Sequence, residues 1–275
     1  MKGIVKFLVR PRENATRKWR LSIILGAGLA GMWFMGLPAS SGWPQEVILA
    51  TTSWTASFVE AAAPQLQGFK VVTLAGADFR HPPEYELKPS DVVLLGNCSY
   101  FVFAGYEAMI PRIKQGSLRI GGSQVQIQTV NTPKVIRESV QKLSRLFGTE
   151  AEAEKNIERI EAFYEDWRKE VRVSGLGGAS VICHVFLSPI AQELGLKVVG
   201  TYGPAPLEAV KIAELAEKKP HFILDNWHTD AGKPLIRALP QTPVVSFINF
   251  PGKDGTKSLL DVLTYNREQL RKITK

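Results

Sequence analysis

The sequence predicts an α/β fold: two lobes with mostly parallel sheets, joined by one long spine helix. Three observations carry this. Short, fully apolar runs recur from residue 46 onward, the pattern of strands covered on both faces. Helical stretches alternate with these runs, as crossover connections in parallel sheets require. Between two such series lies one helical segment, residues 149–171, roughly 33 Å long at about 1.5 Å per residue.

In chain order, Val47-Ile48-Leu49-Ala50, Lys70-Val71-Val72-Thr73-Leu74 and Tyr100-Phe101-Val102-Phe103 read as buried strands of the first lobe. Val92-Val93-Leu94-Leu95 admits either a strand, from its β-branched residues, or a short helix capped by Pro89-Ser90-Asp91. The second lobe follows with Ser180-Val181-Ile182-Cys183, Lys197-Val198-Val199, Phe222-Ile223-Leu224 and Pro243-Val244-Val245-Ser246-Phe247-Ile248. Thr149-Glu150-Ala151-Glu152 has the form of a capping box, in which Thr149 and Glu152 satisfy each other's backbone amides. Beyond it Ala153, Ile157, Ile160, Tyr164, Trp167 and Val171 recur at helical spacing, and Ser174-Gly175-Leu176-Gly177-Gly178 ends the run. Such a helix is either a spine between two lobes or a long helix packed on one sheet. The resulting division is 1–42 as a signal peptide or signal anchor, 43–148 as an N-terminal α/β lobe, 149–173 as the linking helix and 174–275 as a C-terminal α/β lobe.

The chain has 275 residues and a net charge of +8. Residues 1–39 hold seven basic side chains and one acid, Glu13, which leaves about +2 for the rest. That is too little for a surface that tracks phosphates, so nucleic acid is excluded as a partner. The basic stretch precedes an uncharged apolar run, residues 21–37, and then Ala39-Ser40-Ser41-Gly42, where cleavage would fall. Cleaved or not, positive-inside logic sends the remainder outside the cytoplasm, with membrane contact only through this segment. Two cysteines, Cys98 and Cys183, each follow an apolar run in a different half, which favours two separate buried thiols over one disulfide.

Groups able to bind a ligand fall just after strands: His81, His184, Asp225, His228 and Asn249. Ligands of open α/β sheets sit outside the carboxyl ends of strands, and converging imidazoles and carboxylates suit a divalent transition metal. Each has a structural alternative. His184 reads also as a core histidine, His228 as a loop histidine satisfied by backbone, and Asp225 as a helix cap. His221 opens a strand and reads as merely exposed. Cys183 and His184 are adjacent on a strand and point to opposite faces, so they do not form a nucleophile–base pair. No glycine-rich phosphate loop or serine elbow appears.

Two stretches, residues 77–91 and 184–196, resemble the metal-binding solute receptors of ABC uptake systems for zinc and manganese. Val47-Ile48-Leu49-Ala50-Thr51-Thr52-Ser53-Trp54, the segment 99–107 and Leu263-Thr264-Tyr265-Asn266 extend the resemblance over residues 46–275. It implies two α/β lobes joined by a long helix, a ligand between them, an extracytoplasmic location and no enzymatic activity. It also implies an ABC permease and its ATPase as partners. Of the four family metal positions, one is retained: His184, which stands eleven residues before Gly195-Leu196. Pro83, Gln128 and Asn249 occupy the others. The expected metal site is therefore a rebuilt one of His81, His184, Asp225 and His228, with Glu84 and Asn249 as further cleft residues, and zinc or manganese as the transported ion. Two alternatives stand beside it: the same fold binding a metal chelate or an organic ligand, and an extracytoplasmic enzyme using Cys183 or a His-Asp pair.

Overall fold

The computed structural model describes residues 46–64 and 67–274. The expected targeting segment, with its apolar run and expected cleavage region, lies outside the described residues. Strands β1 (Glu46–Thr52), β2 (Phe69–Ala75), β3 (Tyr100–Phe103) and β4 (Ser123–Gln126) form one sheet in the order β2-β1-β3-β4, every neighbouring pair parallel. Strands β5 (Ser180–His184), β6 (Lys197–Tyr202), β7 (Phe222–Asn226) and β8 (Val244–Phe247) form the second, in the order β6-β5-β7-β8, again all parallel.

Each apolar run read as a strand falls on one. Strand β4 was not foreseen, because its sequence, Ser-Gln-Val-Gln, buries Val125 alone at the sheet edge. Val92-Val93-Leu94-Leu95 resolves as part of helix α2 (Pro89–Asn97). There Asp91 accepts from the Lys88 amide at 2.8 Å, and burial is one-sided, with Leu95 inside and Val93 63% exposed. That is the burial of a surface helix, not of a covered strand. Helix α1 (Ser53–Ala62) follows β1 directly, and Thr52 and Thr55 cap it reciprocally. Helix α3 (Met109–Arg112) follows β3, and α4 (Pro133–Phe147) follows β4. In the second half α6 (Ser188–Glu193), α7 (Ala209–Ala216), α8 (Lys233–Ala238) and α9 (Leu259–Arg271) alternate with or follow the strands.

The sequence between the sheets forms one unbroken helix, α5 (Glu150–Val173), of 24 residues. Gly148 turns the chain into it from α4 at φ 67, a left-handed conformation that glycine adopts without steric cost. The capping box expected at Thr149 is not made. Thr149 Oγ1 instead donates to the carbonyl of Ala62 at the end of α1, 2.8 Å away, so the hydroxyl joins helices rather than capping one. Asn156 Nδ2 repeats the link to Ala61 at 3.0 Å. The stripe Ala153, Ile157, Ile160, Tyr164, Trp167 and Val171 is buried along its length. It shares one core with Ile48, Val102 and Val125 of the first sheet and with Val181, Phe222, Leu224 and Phe247 of the second. Polar ties follow the same division. Arg137 of α4 pairs with Glu154 and Glu161 at 2.6 Å, whereas Glu170 near the other end receives Arg267 and Arg271 of α9. The helix thus touches both halves and is a spine.

The carboxyl ends of the two sheets' strands meet. Ser53 after β1 donates to the carbonyl of Pro251 after β8 at 3.3 Å. Arg80 after β2 donates to the carbonyl of Trp227 and to Asp230, both after β7, at 3.0 Å. Gly252 lies so close to Ala77 that a Cβ there would stand 1.9 Å from its carbonyl oxygen, and its φ is 130. Gly252→Ala is therefore expected to cost about 1–3 kcal/mol, from strain and from forcing this contact apart. Thermal melting together with amide exchange around Ala77 measures it; an unchanged melting temperature would contradict the packing.

Candidate functional site

Strand β5 ends at His184, which also caps the short 3-10 turn Val185–Leu187. Its Nδ1 accepts from the Phe186 amide at 3.3 Å. The ring packs edge-on against Tyr202 at 5.6 Å, the residue that pairs with it on β6, and lies 5.1 Å from the half-exposed Phe186 ring. Gly203 closes over the other ring nitrogen, where a Cβ would come within 2.5 Å. His184 is 1% exposed, and its Nε2 is buried with no hydrogen-bond partner. Burial lowers its pKa to about 4, so it is neutral at pH 7.

The other expected ligands behave differently. His228 is buried, and both ring nitrogens are spent on backbone. Its Nδ1 meets the Arg80 carbonyl at 2.9 Å, and its Nε2 accepts from the Phe250 amide at 3.2 Å. Burial lowers its pKa to about 4 as well. It is thus a bolt between the halves, the structural alternative read from the sequence. Asp225, at the end of β7, accepts from the Tyr202 hydroxyl, and Gly232 packs against the pair. Burial raises its pKa, partly opposed by the Tyr202 hydrogen bond. It does not cap α8. His81 precedes the turn Pro82–Glu84 at the surface, 3.8 Å from Glu84, whose side chain is 75% exposed. Asn249, two residues past β8, has a buried Oδ1 without a partner. The proposed quartet is not assembled: among the described residues no three His, Cys, Asp or Glu side chains gather as a metal-binding group.

Both cysteines are free and buried. Burial pushes the Cys183 thiol up, with the Ser188 hydroxyl opposing at 3.3 Å, so the environment favours the thiol over the thiolate. His221 Nδ1 meets the hydroxyl of Ser180 at 2.8 Å, outside this region.

Residues that the sequence reading passed over also shape the site. Tyr202 and Gly203 wall the imidazole, and only the strand register could have pointed to them. Glu107 is fully buried and accepts from Thr51 and from the amides of Ala104 and Gly105 at 2.9 and 2.6 Å. It ties the end of β1 to the loop after β3. Asn131, after β4, has a third buried and unpartnered atom, Oδ1.

No protein-family model matches the chain, and a search of curated proteins finds no match. Solved structures do match it. The Mn-bound periplasmic metal binding protein of Candidatus Liberibacter asiaticus superposes with a TM-score of 0.60 at 14% identity, covering 84% of this chain and 100% of that one. The Cd-bound form of the same protein gives the same values. The laminin binding protein of Streptococcus agalactiae, described as an adhesin with metal transporting activity, gives 0.66 at 13% identity with the same coverage. The chain has the fold of these metal-binding proteins. The likeness is one of fold, at an identity too low to carry over a ligand set.

Proposed function

We propose that this chain is the solute-binding component of an ABC importer, working outside the cytoplasm. In this reading it takes up a divalent metal species, zinc or manganese, where the carboxyl ends of its two sheets meet, and hands it to a permease driven by an ATPase. It performs no chemistry on its cargo. The observation that carries the reading is His184. It is a neutral imidazole with an unsatisfied buried nitrogen, set at the carboxyl end of a central strand, in the fold of proteins that carry Mn or Cd. The basic and apolar N-terminal segment supports export, and no helix among the described residues is long and apolar enough to cross a membrane.

Binding to the folded form alone stabilises it, by about 2.7 kcal/mol at a hundredfold excess over the dissociation constant. The melting temperature of the wild-type protein is therefore expected to rise with zinc or manganese, supplied as free ions or as citrate complexes. In His184→Ala the rise should be much smaller. A melting temperature unmoved by every form of both metals sinks the reading.

A further inference from the structure

We propose that residues 77–81, in the loop after β2, form a strap across the face where the two sheets meet, and that the Arg80 side chain is the latch that holds it shut and limits how fast cargo enters and leaves. This rests on the metal-capture reading and adds the gate that regulates it.

The strap belongs to the first half of the chain but is fastened to the second. The Arg80 guanidinium donates to the carbonyl of Trp227 and to Asp230, each at 3.0 Å, and its central carbon stands 5.2 Å from the centre of the Trp227 ring. The backbone carbonyl of the same residue faces His228 Nδ1 at 2.9 Å, and Ala77 lies against Gly252. Towards its own half the strap offers the Phe79 ring, edge-on to Tyr85 at 5.5 Å. Both ends are tied down. Strand β2 stops at Ala75, and beyond the strap the Pro83 carbonyl accepts from the Ala108 amide at 2.8 Å, while Tyr85 donates to Asp91 at 2.8 Å. Movement is thereby confined to the residues between these ties.

The latch stands in one connected series with His184. Arg80 and Asp230 both act electrostatically on Asp225. Asp225 accepts from the Tyr202 hydroxyl, and the Tyr202 ring packs on the His184 imidazole.

A moving strap also costs less than moving lobes. The spine is one continuous helix whose apolar stripe shares a core with both sheets. Swinging the halves apart would bring that core into water, whereas releasing an exposed ion pair costs little. The latch is of the second kind: the Arg80 and Asp230 side chains are 49% and 54% exposed, open to water and to salt. Asp230 also receives Lys233 at 2.8 Å, so it keeps a partner when Arg80 lets go. Lys253 supplies a built-in control. Its ammonium stands 5.3 Å from the centre of the same Trp227 ring, but both residues belong to the second half, so that contact fastens nothing across the two halves.

The test uses the full chain labelled with fluorophenylalanine. Exchange broadening of the Phe79 fluorine resonance, assigned by its loss in Phe79→Leu, measures strap opening without metal. Stopped-flow mixing, with a chromophoric chelator reporting free zinc, measures entry and release. Arg80→Ala should raise the open population and both zinc rates about tenfold, as expected for losing hydrogen bonds from a charged group at an exposed site. Because both rates rise together, the dissociation constant should change less than about threefold. Asp230→Asn should act in the same direction, and salt of about 0.5 M should move the wild type part of the way. Lys253→Ala should leave both rates unchanged. Strap exchange or zinc rates unaltered by Arg80→Ala, an equal acceleration by Lys253→Ala, or lost affinity without faster entry would each overturn the latch and leave metal capture standing. Binding of neither zinc nor manganese would overturn the capture reading and the gating role with it.

Discussion

Replacing Trp167 with alanine is expected to cost about 3–5 kcal/mol of stability, the range for emptying a fully buried aromatic site. Trp167 is 1% exposed, on the face of α5 that touches both sheets. It stacks on Tyr164 at 6.1 Å and meets Phe163 and Phe247 at 5.9 Å. Loss of its ring opens a cavity where the spine passes the second sheet, and the neighbouring aromatics cannot collapse into it without leaving their own contacts. Urea unfolding should show a lower midpoint with little change in slope. A cost under about 1 kcal/mol would mean that the helix does not bear on the second lobe as described. Ala153→Gly, on the same stripe, should cost about 1 kcal/mol through helix propensity.

The second large effect is acid sensitivity. His184 and His228 each have a pKa of about 4 in the folded protein against the ordinary 6.5. The unfolded chain therefore binds more protons than the folded one between these values, and stability falls as pH drops through that window. The loss should reach about 2 kcal/mol per histidine by pH 5, nothing being lost above the ordinary value and little more below pH 4. Asp225, whose pKa is raised by burial, works in the opposite sense near the acid end. Urea midpoints measured from pH 7.5 to 4.5 should hold at first and fall below about pH 6.5, and His228→Gln, which can still donate and accept, should roughly halve that slope. Stability that is flat between pH 7 and 5 would contradict the burial of both rings.

Much of this fold was legible because its signals are local. A run such as Val47-Ile48-Leu49-Ala50 states its burial within four residues, and the α5 stripe repeats its period often enough to be read without knowing what it packs against. His184 was singled out through its spacing to Gly195-Leu196, which spans α6 and the turn that follows. Three features were not legible. The Thr149 hydroxyl finds a carbonyl 87 residues away, so a local capping pattern gave way to a tertiary bond. His228 and Asp225 looked like ligands because they follow β7. Their fates were decided by partners on other loops and strands: Arg80 is 148 residues away, and Tyr202 lies on β6. A ring nitrogen is available to a ligand only if no amide or carbonyl has taken it, and sequence does not record that competition.

Each sheet is drawn from one uninterrupted stretch of chain, β1 to β4 and then β5 to β8, with α5 as the strand-free bridge. Among the described residues no strand of the later sheet inserts into the earlier one. As the polypeptide emerges from its N-terminal end, the first sheet has all its hydrogen-bonding partners by residue 126, well before residue 180 arrives. Assembly can therefore proceed in the order of synthesis, and the part of the spine's apolar stripe that packs on the second sheet is the surface exposed while the first half waits for the second.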